Sequence, residues 1–108
     1  MSAWDGGSKV PFGARWLKQI ALNGMSDEIL STMDLLPTFA KLEGAKLPSD
    51  RTLDAYDATE FLLGKTKISP RNDYLYYSGS LLAGVRVDQW KLVLPRRDNP
   101  SDIGWWGA

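Results

Sequence analysis

Residues 74–94 are so rich in aromatic and branched side chains that an antiparallel sheet is the structure they fit best. Three runs, 74–77, 81–87 and 90–94, have the composition of a pleated, half-buried surface. Only Asp88 and Gln89 separate the last two, which specifies a tight hairpin. A fourth run lies far upstream. Within residues 9–16, Val10, Phe12, Ala14 and Trp16 recur at every second position, the period of a half-buried strand. Pro11 has no N–H for a ladder, so this strand is expected at a sheet edge.

Between these runs the period changes to that of helices. A turn at Asn23-Gly24 and a short apolar stretch at 28–31 precede Asp34, whose carboxylate suits an N-cap. Pro37 then falls in the first turn, where its missing N–H leaves no bond unmade. Leu35, Leu36, Phe39 and Leu42 follow as an apolar stripe expected to face the core, and Gly44 supplies the left-handed stop. Asp57-Ala58-Thr59-Glu60 reads as a capping box, with Asp57 and Glu60 as caps, opening a second short helix through Phe61, Leu62 and Leu63 to Gly64. The expected fold is therefore α+β: a small antiparallel sheet of about four strands, ending in a hairpin, with two short helices on one face. Residues 1–95 form the expected subdomain. Residues 96–108 read as a loop-rich tail carrying Trp105-Trp106, a pair rarely left fully exposed.

Composition narrows the chemistry. The 108 residues hold 13 Lys+Arg against 13 Asp+Glu, interspersed, so the net charge is zero. A nucleic-acid binder or a polybasic membrane anchor would show a basic footprint, and none is present. No apolar run approaches the ~18 residues of a membrane span. No secretory h-region is visible, which makes the cytoplasm the default expectation. There is no Cys and no His. Thiolate sites, imidazole metal ligands and Ser-His-Asp chemistry are thereby excluded from this chain.

Several short motifs occur in a definite order. Ser2-Ala3-Trp4-Asp5-Gly6-Gly7-Ser8-Lys9-Val10-Pro11 comes first, then Ser26-Asp27-Glu28 and Met33-Asp34-Leu35-Leu36-Pro37-Thr38. Leu42-Glu43-Gly44-Ala45 with Pro48 follows, then Asp50-Arg51-Thr52-Leu53-Asp54 with Asp57. Leu62-Leu63-Gly64 with Ser69-Pro70-Arg71, and Val85-Arg86 with Trp90-Lys91-Leu92, complete the series. In this order they resemble the C-terminal part of the sulfatases, the arylsulfatase-type sulfuric ester hydrolases of the alkaline-phosphatase-like superfamily. The family patterns are T-x-[WY]-E-G-G-x-R-x-P, D-x-x-P-T, L-x-G-x-x-x-P, D-R-x-x-D-G-x-D and V-R-x-G-x-W-K-L. The chain departs from them at Asp5 (family Glu), Lys9 (Arg), Trp16-Leu17-Lys18 (W-P-G), Ala55 (Gly) and Asp88 (the hairpin Gly).

The resemblance implies a sulfate-ester hydrolase whose catalytic parts lie elsewhere. A formylglycine made within a C-x-P-S-R motif, a calcium ion held by Asp and Asn, and catalytic Lys and His all belong to the family's N-terminal domain. The nearest, a Lys, would fall about two positions before Ser2. No catalytic or metal-ligating residue and no cofactor is therefore assigned to this chain. Trp4, Asp5, Gly6 and Gly7 would lie at the margin of the substrate pocket of an intact enzyme. Read without the resemblance, they are a turn.

Other candidates have plainer readings. Asp54 and Asp57 could pass for paired carboxylates, but their spacing suits a turn and a cap. Arg71 and Arg86 could hold anions, yet pairing with Asp or Glu is the better expectation, with Arg86 the foremost case. Tyr74, Tyr76 and Tyr77 read as sheet core and rim. Two roles remain: a C-terminal sulfatase fragment, inactive alone, whose partner is the missing catalytic domain; or a standalone interaction module that self-associates or binds a protein through an exposed apolar face.

Overall fold

Gly79 and Asp88 both occupy left-handed backbone, at φ 61 and 50, and these two positions set the sheet. Each is the first residue of a two-residue connection, Gly79-Ser80 or Asp88-Gln89, where a positive φ matches the twist of the flanking strands. The computed structural model describes residues 4–95. Its strands are β1 (Asp73–Ser78), β2 (Leu81–Val87) and β3 (Trp90–Val93), antiparallel in the order β1-β2-β3. The register pairs Tyr74 with Arg86 and Arg86 with Lys91, and slips at Tyr76/Tyr77, where β2 carries one extra residue.

The sheet has three strands, not about four. Residues 9–16 form no ladder, and Val10 and Phe12 stand exposed. The alternation is real, but it encodes only a surface. A strand also needs a neighbour, and among the described residues none is offered.

The chain divides into two compact units, Met1–Phe12 with Asp73–Ala108, and Gly13–Asn72. The first holds the sheet and a single helical turn, α1 (Asp5–Ser8). The second holds a 3₁₀ turn (Thr32–Asp34) running into α2 (Leu35–Glu43), and a short α3 (Thr59–Leu62). Trp105-Trp106 and the rest of the expected tail lie outside the described residues.

The start of α2 differs from its sequence reading. Ser31 is the capping side chain, its Oγ accepting from Met33 N at 3.3 Å, while Asp34 Oδ2 accepts from Ser31 N at 2.9 Å. Asp34 stands at the N-cap position of α2 without a side-chain cap bond there, its carboxylate being committed elsewhere. Gly44 ends the helix at φ 68, with Ala45 N donating to Ala40 O at 2.8 Å.

The expected stripe of α2 is split, with Leu35 and Leu42 half-buried and the other two members exposed. Asp34, Pro37 and Thr38 are buried, whereas Leu36 and Phe39 are 57% and 54% exposed. Thr38 Oγ1 replaces the apolar contact with a polar one. It donates to Asp34 O at 2.5 Å and accepts from Ala58 N at 2.9 Å. The expected capping box at 57–60 is likewise displaced: α3 begins from Ala58, and Asp57 Oδ1 accepts from Thr59 N at 2.9 Å. Glu60 lies in the first turn, with its carbonyl accepting from Lys65 N. Asp57 Oδ2 also meets Lys41 Nζ at 2.6 Å, an exposed tie between α2 and α3.

Candidate functional site

The most enclosed polar cluster is built on Asp34. Arg71 Nε donates to Asp34 Oδ2 and Arg71 Nη2 to Asp34 Oδ1, both at 2.8 Å, a two-pronged ion pair. Backbone N–H groups of Ser31 and Tyr56 donate to the same two oxygens, each at 2.9 Å. Arg71 also donates to Asp54 O at 2.9 Å and lies over the Tyr56 ring, 4.7 Å from its centroid. Ser69 extends the cluster: its Oγ donates to Ile29 O and accepts from Arg71 N, and its N–H donates to Glu28 Oε2. The arrangement joins segments 28–34, 54–58 and 69–71, so it performs the work an apolar core usually does.

Its electrostatics are those of a locked pair. Burial alone would raise the Asp34 carboxyl, but the Arg71 bonds and the two amides outweigh it and hold the group below its ordinary value. With each of its oxygens accepting from two donors, Asp34 has no open coordination position. Arg71, rather than Arg86, is the buried arginine; Arg86 is half-buried and donates to Asp88 O at 2.9 Å. The expected carboxylate pairing is thus met at Arg71, not at Arg86, because a strand Arg looks enclosed in sequence while a loop Arg after Ser-Pro looks free.

The sequence-predicted pocket margin is on α1. Asp5, Gly6 and Gly7 form most of this exposed turn and Trp4 its N-cap. Asp5 Oδ1 accepts from Lys91 Nζ at 2.7 Å, and Lys91 Nζ lies 4.2 Å from the centroid of the Tyr76 ring. The Lys91 hydrogen bond, foremost, and then its charge lower the Asp5 carboxyl from its ordinary value. Tyr76 is buried and meets Tyr74 edge-on at 5.0 Å between centroids, while Tyr77 is exposed. Asp54 and Asp57 are not brought together as an acid/base pair: Asp54 serves through its carbonyl and Asp57 through its bonds to Thr59 and Lys41.

Among the described residues no three or more acidic, His or Cys side chains gather where they could hold a metal ion. None of their helices is long and apolar enough to cross a membrane.

Comparison with known proteins gives these features a context. No family model matches the chain. Human (Homo sapiens) steryl-sulfatase is 41% identical over 83 residues, 77% of this chain and 14% of its own length. Arylsulfatase G of Rattus norvegicus is 36% identical over 97 residues, covering 83% of this chain and 18% of the relative. An arylsulfatase of Hemicentrotus pulcherrimus is 36% identical over 89 residues, 82% of this chain and 16% of the relative. The chain thus spans less than a fifth of the length of the curated relatives it matches. With the ordered motifs and matches over about four-fifths of its residues, the chain belongs to the sulfatase family and corresponds to a limited stretch of it.

Proposed function

We propose that this chain is the C-terminal part of a sulfate-ester hydrolase, whose role is to complete the fold and shape the substrate mouth while supplying no catalytic group. The observation that carries this reading is the scarcity of an apolar core beside an abundance of uncovered apolar surface. Among the described residues few apolar side chains are buried, chiefly Ala58, Tyr76 and Pro37. Leu36 and Phe39 stand exposed on α2, and one face of the sheet presents Leu75, Val87, Trp90 and Leu92. Surface of this kind marks an interface. The relatives carry several times more sequence than this chain, which makes the remainder of the sulfatase its fitting occupant.

The chemistry agrees. Neither His nor Cys occurs, and no C-x-P-S-R motif is present. The calcium ion and formylglycine of the family do not fit the residues here: no acidic cluster exists among the described residues, and Asp34 is fully engaged by Arg71 and two amides. Those groups belong to the rest of the enzyme in this reading.

The test is hydrolysis of an aryl sulfate ester. The isolated chain is expected to match a heat-killed control, and turnover above that control would overturn the reading. A second role rests on the same uncovered faces. In the absence of the catalytic part they provide a surface for self-association, and sedimentation velocity over a wide concentration range measures it. A strictly monomeric profile would remove that role.

A further inference from the structure

We propose that Lys91 is a positioning residue: it fastens the turn carrying Trp4, Asp5, Gly6 and Gly7 onto the sheet. The functional importance of that turn rests on the reading above, which places it at the margin of a sulfate-ester pocket. The fastening itself rests on geometry alone.

Lys91 and Asp5 lie 86 positions apart and meet at 2.7 Å. Lys91 belongs to the row Tyr74–Arg86–Lys91 across the three strands, on the face that also carries Tyr76. Its ammonium lies over the ring of Tyr76, which is itself buried and braced edge-on by Tyr74. One cation is therefore held by two contacts, an aromatic face from the sheet and a carboxylate from α1. Its side chain is 20% exposed, against 64% for Asp5, so the sheet supplies the fixed end and the turn the free one. The turn needs such a tie. It buries none of its own residues, its N-cap Trp4 makes no side-chain cap bond, and two of its four residues are glycine. An isolated turn of this length is not stable in water. Lys91 thus acts on the pocket margin through Asp5, without itself facing a substrate.

The experiment is NMR of the 108-residue chain with Lys91→Met, Lys91→Arg and Asp5→Asn variants. Strand amides of residues 74–86 serve as the internal control for an intact sheet. Lys91→Met and Asp5→Asn are expected to move the Gly6 and Gly7 amide signals toward free-peptide positions. Lys91→Met is also expected to return the Asp5 carboxyl titration, followed by its own carbon resonance, toward the ordinary value. Lys91→Arg should preserve both signatures. If Lys91→Met loses the sheet signals, Asp5→Asn carries the same test from a residue outside the sheet. Unchanged Gly6 and Gly7 signals in variants that keep the sheet would overturn the proposal. A wild-type chain lacking the strand pattern would overturn it equally. None of these results depends on sulfate-ester hydrolysis, so failure of the fastening and failure of the functional reading are separately visible.

Discussion

Removing the guanidinium of Arg71 would leave the Asp34 carboxylate, at 0% exposure, with only two amides as donors. An uncompensated buried charge is costly, so Arg71→Met is expected to lower the unfolding free energy by about 3–5 kcal/mol, read by urea denaturation. Replacing both partners with apolar residues should not restore stability, because the Ser31 and Tyr56 amides would then lose their acceptor. The pair also sets a pH dependence. Asp34 is held below its ordinary 3.8, so its contribution is fully present above that value and lost as pH falls through the lowered one. Unfolding midpoints in urea should therefore drop steeply below about pH 4, and the Asp34→Asn variant should lose that part of the slope. Thr38 provides a neutral counterpart. Thr38→Val keeps the shape but leaves the Ala58 N–H without its acceptor, and about 1–3 kcal/mol should be lost in the same assay.

Among the elements, the hairpin was the most legible in the sequence because its signals are local. A dense β run, two turn residues and a second run place β2, Asp88-Gln89 and β3 directly. The left-handed Asp88 makes this testable: Asp88→Val should destabilise the hairpin by about 1–2 kcal/mol, checked by thermal unfolding, since a branched side chain resists that conformation. The Gly44 stop of α2 was legible for the same reason. The orientation of α2 was not. Its period announces a helix with an apolar stripe, but which face is covered depends on partners distant in sequence, here Arg71, Tyr56 and Ala58. The expected strand at 9–16 illustrates the same limit, since alternation without a pairing edge leaves the chain unladdered. The candidate site was half legible: Asp5 and its neighbours stood out as a motif, while their link to Lys91 needed the fold. Because Leu36 and Phe39 face outward, Leu36→Glu and Phe39→Glu should change the stability of the isolated chain by no more than about 0.5 kcal/mol in urea titrations.

At the scale of the molecule, buried polar bonds tie the segments of the Gly13–Asn72 unit, while apolar surface on both compact units is exposed. A self-sufficient domain puts its apolar stripe inward. This chain presents Leu36 and Phe39 from one unit and Trp90 and Leu92 from the other, the last pair 75% and 63% exposed. In the reading proposed above, these surfaces are the interface with the rest of a sulfatase. Binding of the hydrophobic dye ANS to the isolated chain tests this claim most directly. The account predicts a strong fluorescence rise, reduced in Leu36→Glu/Phe39→Glu and again in Trp90→Lys/Leu92→Lys. A response no greater than that of a compact monomeric domain, or one unchanged in both double variants, would contradict it.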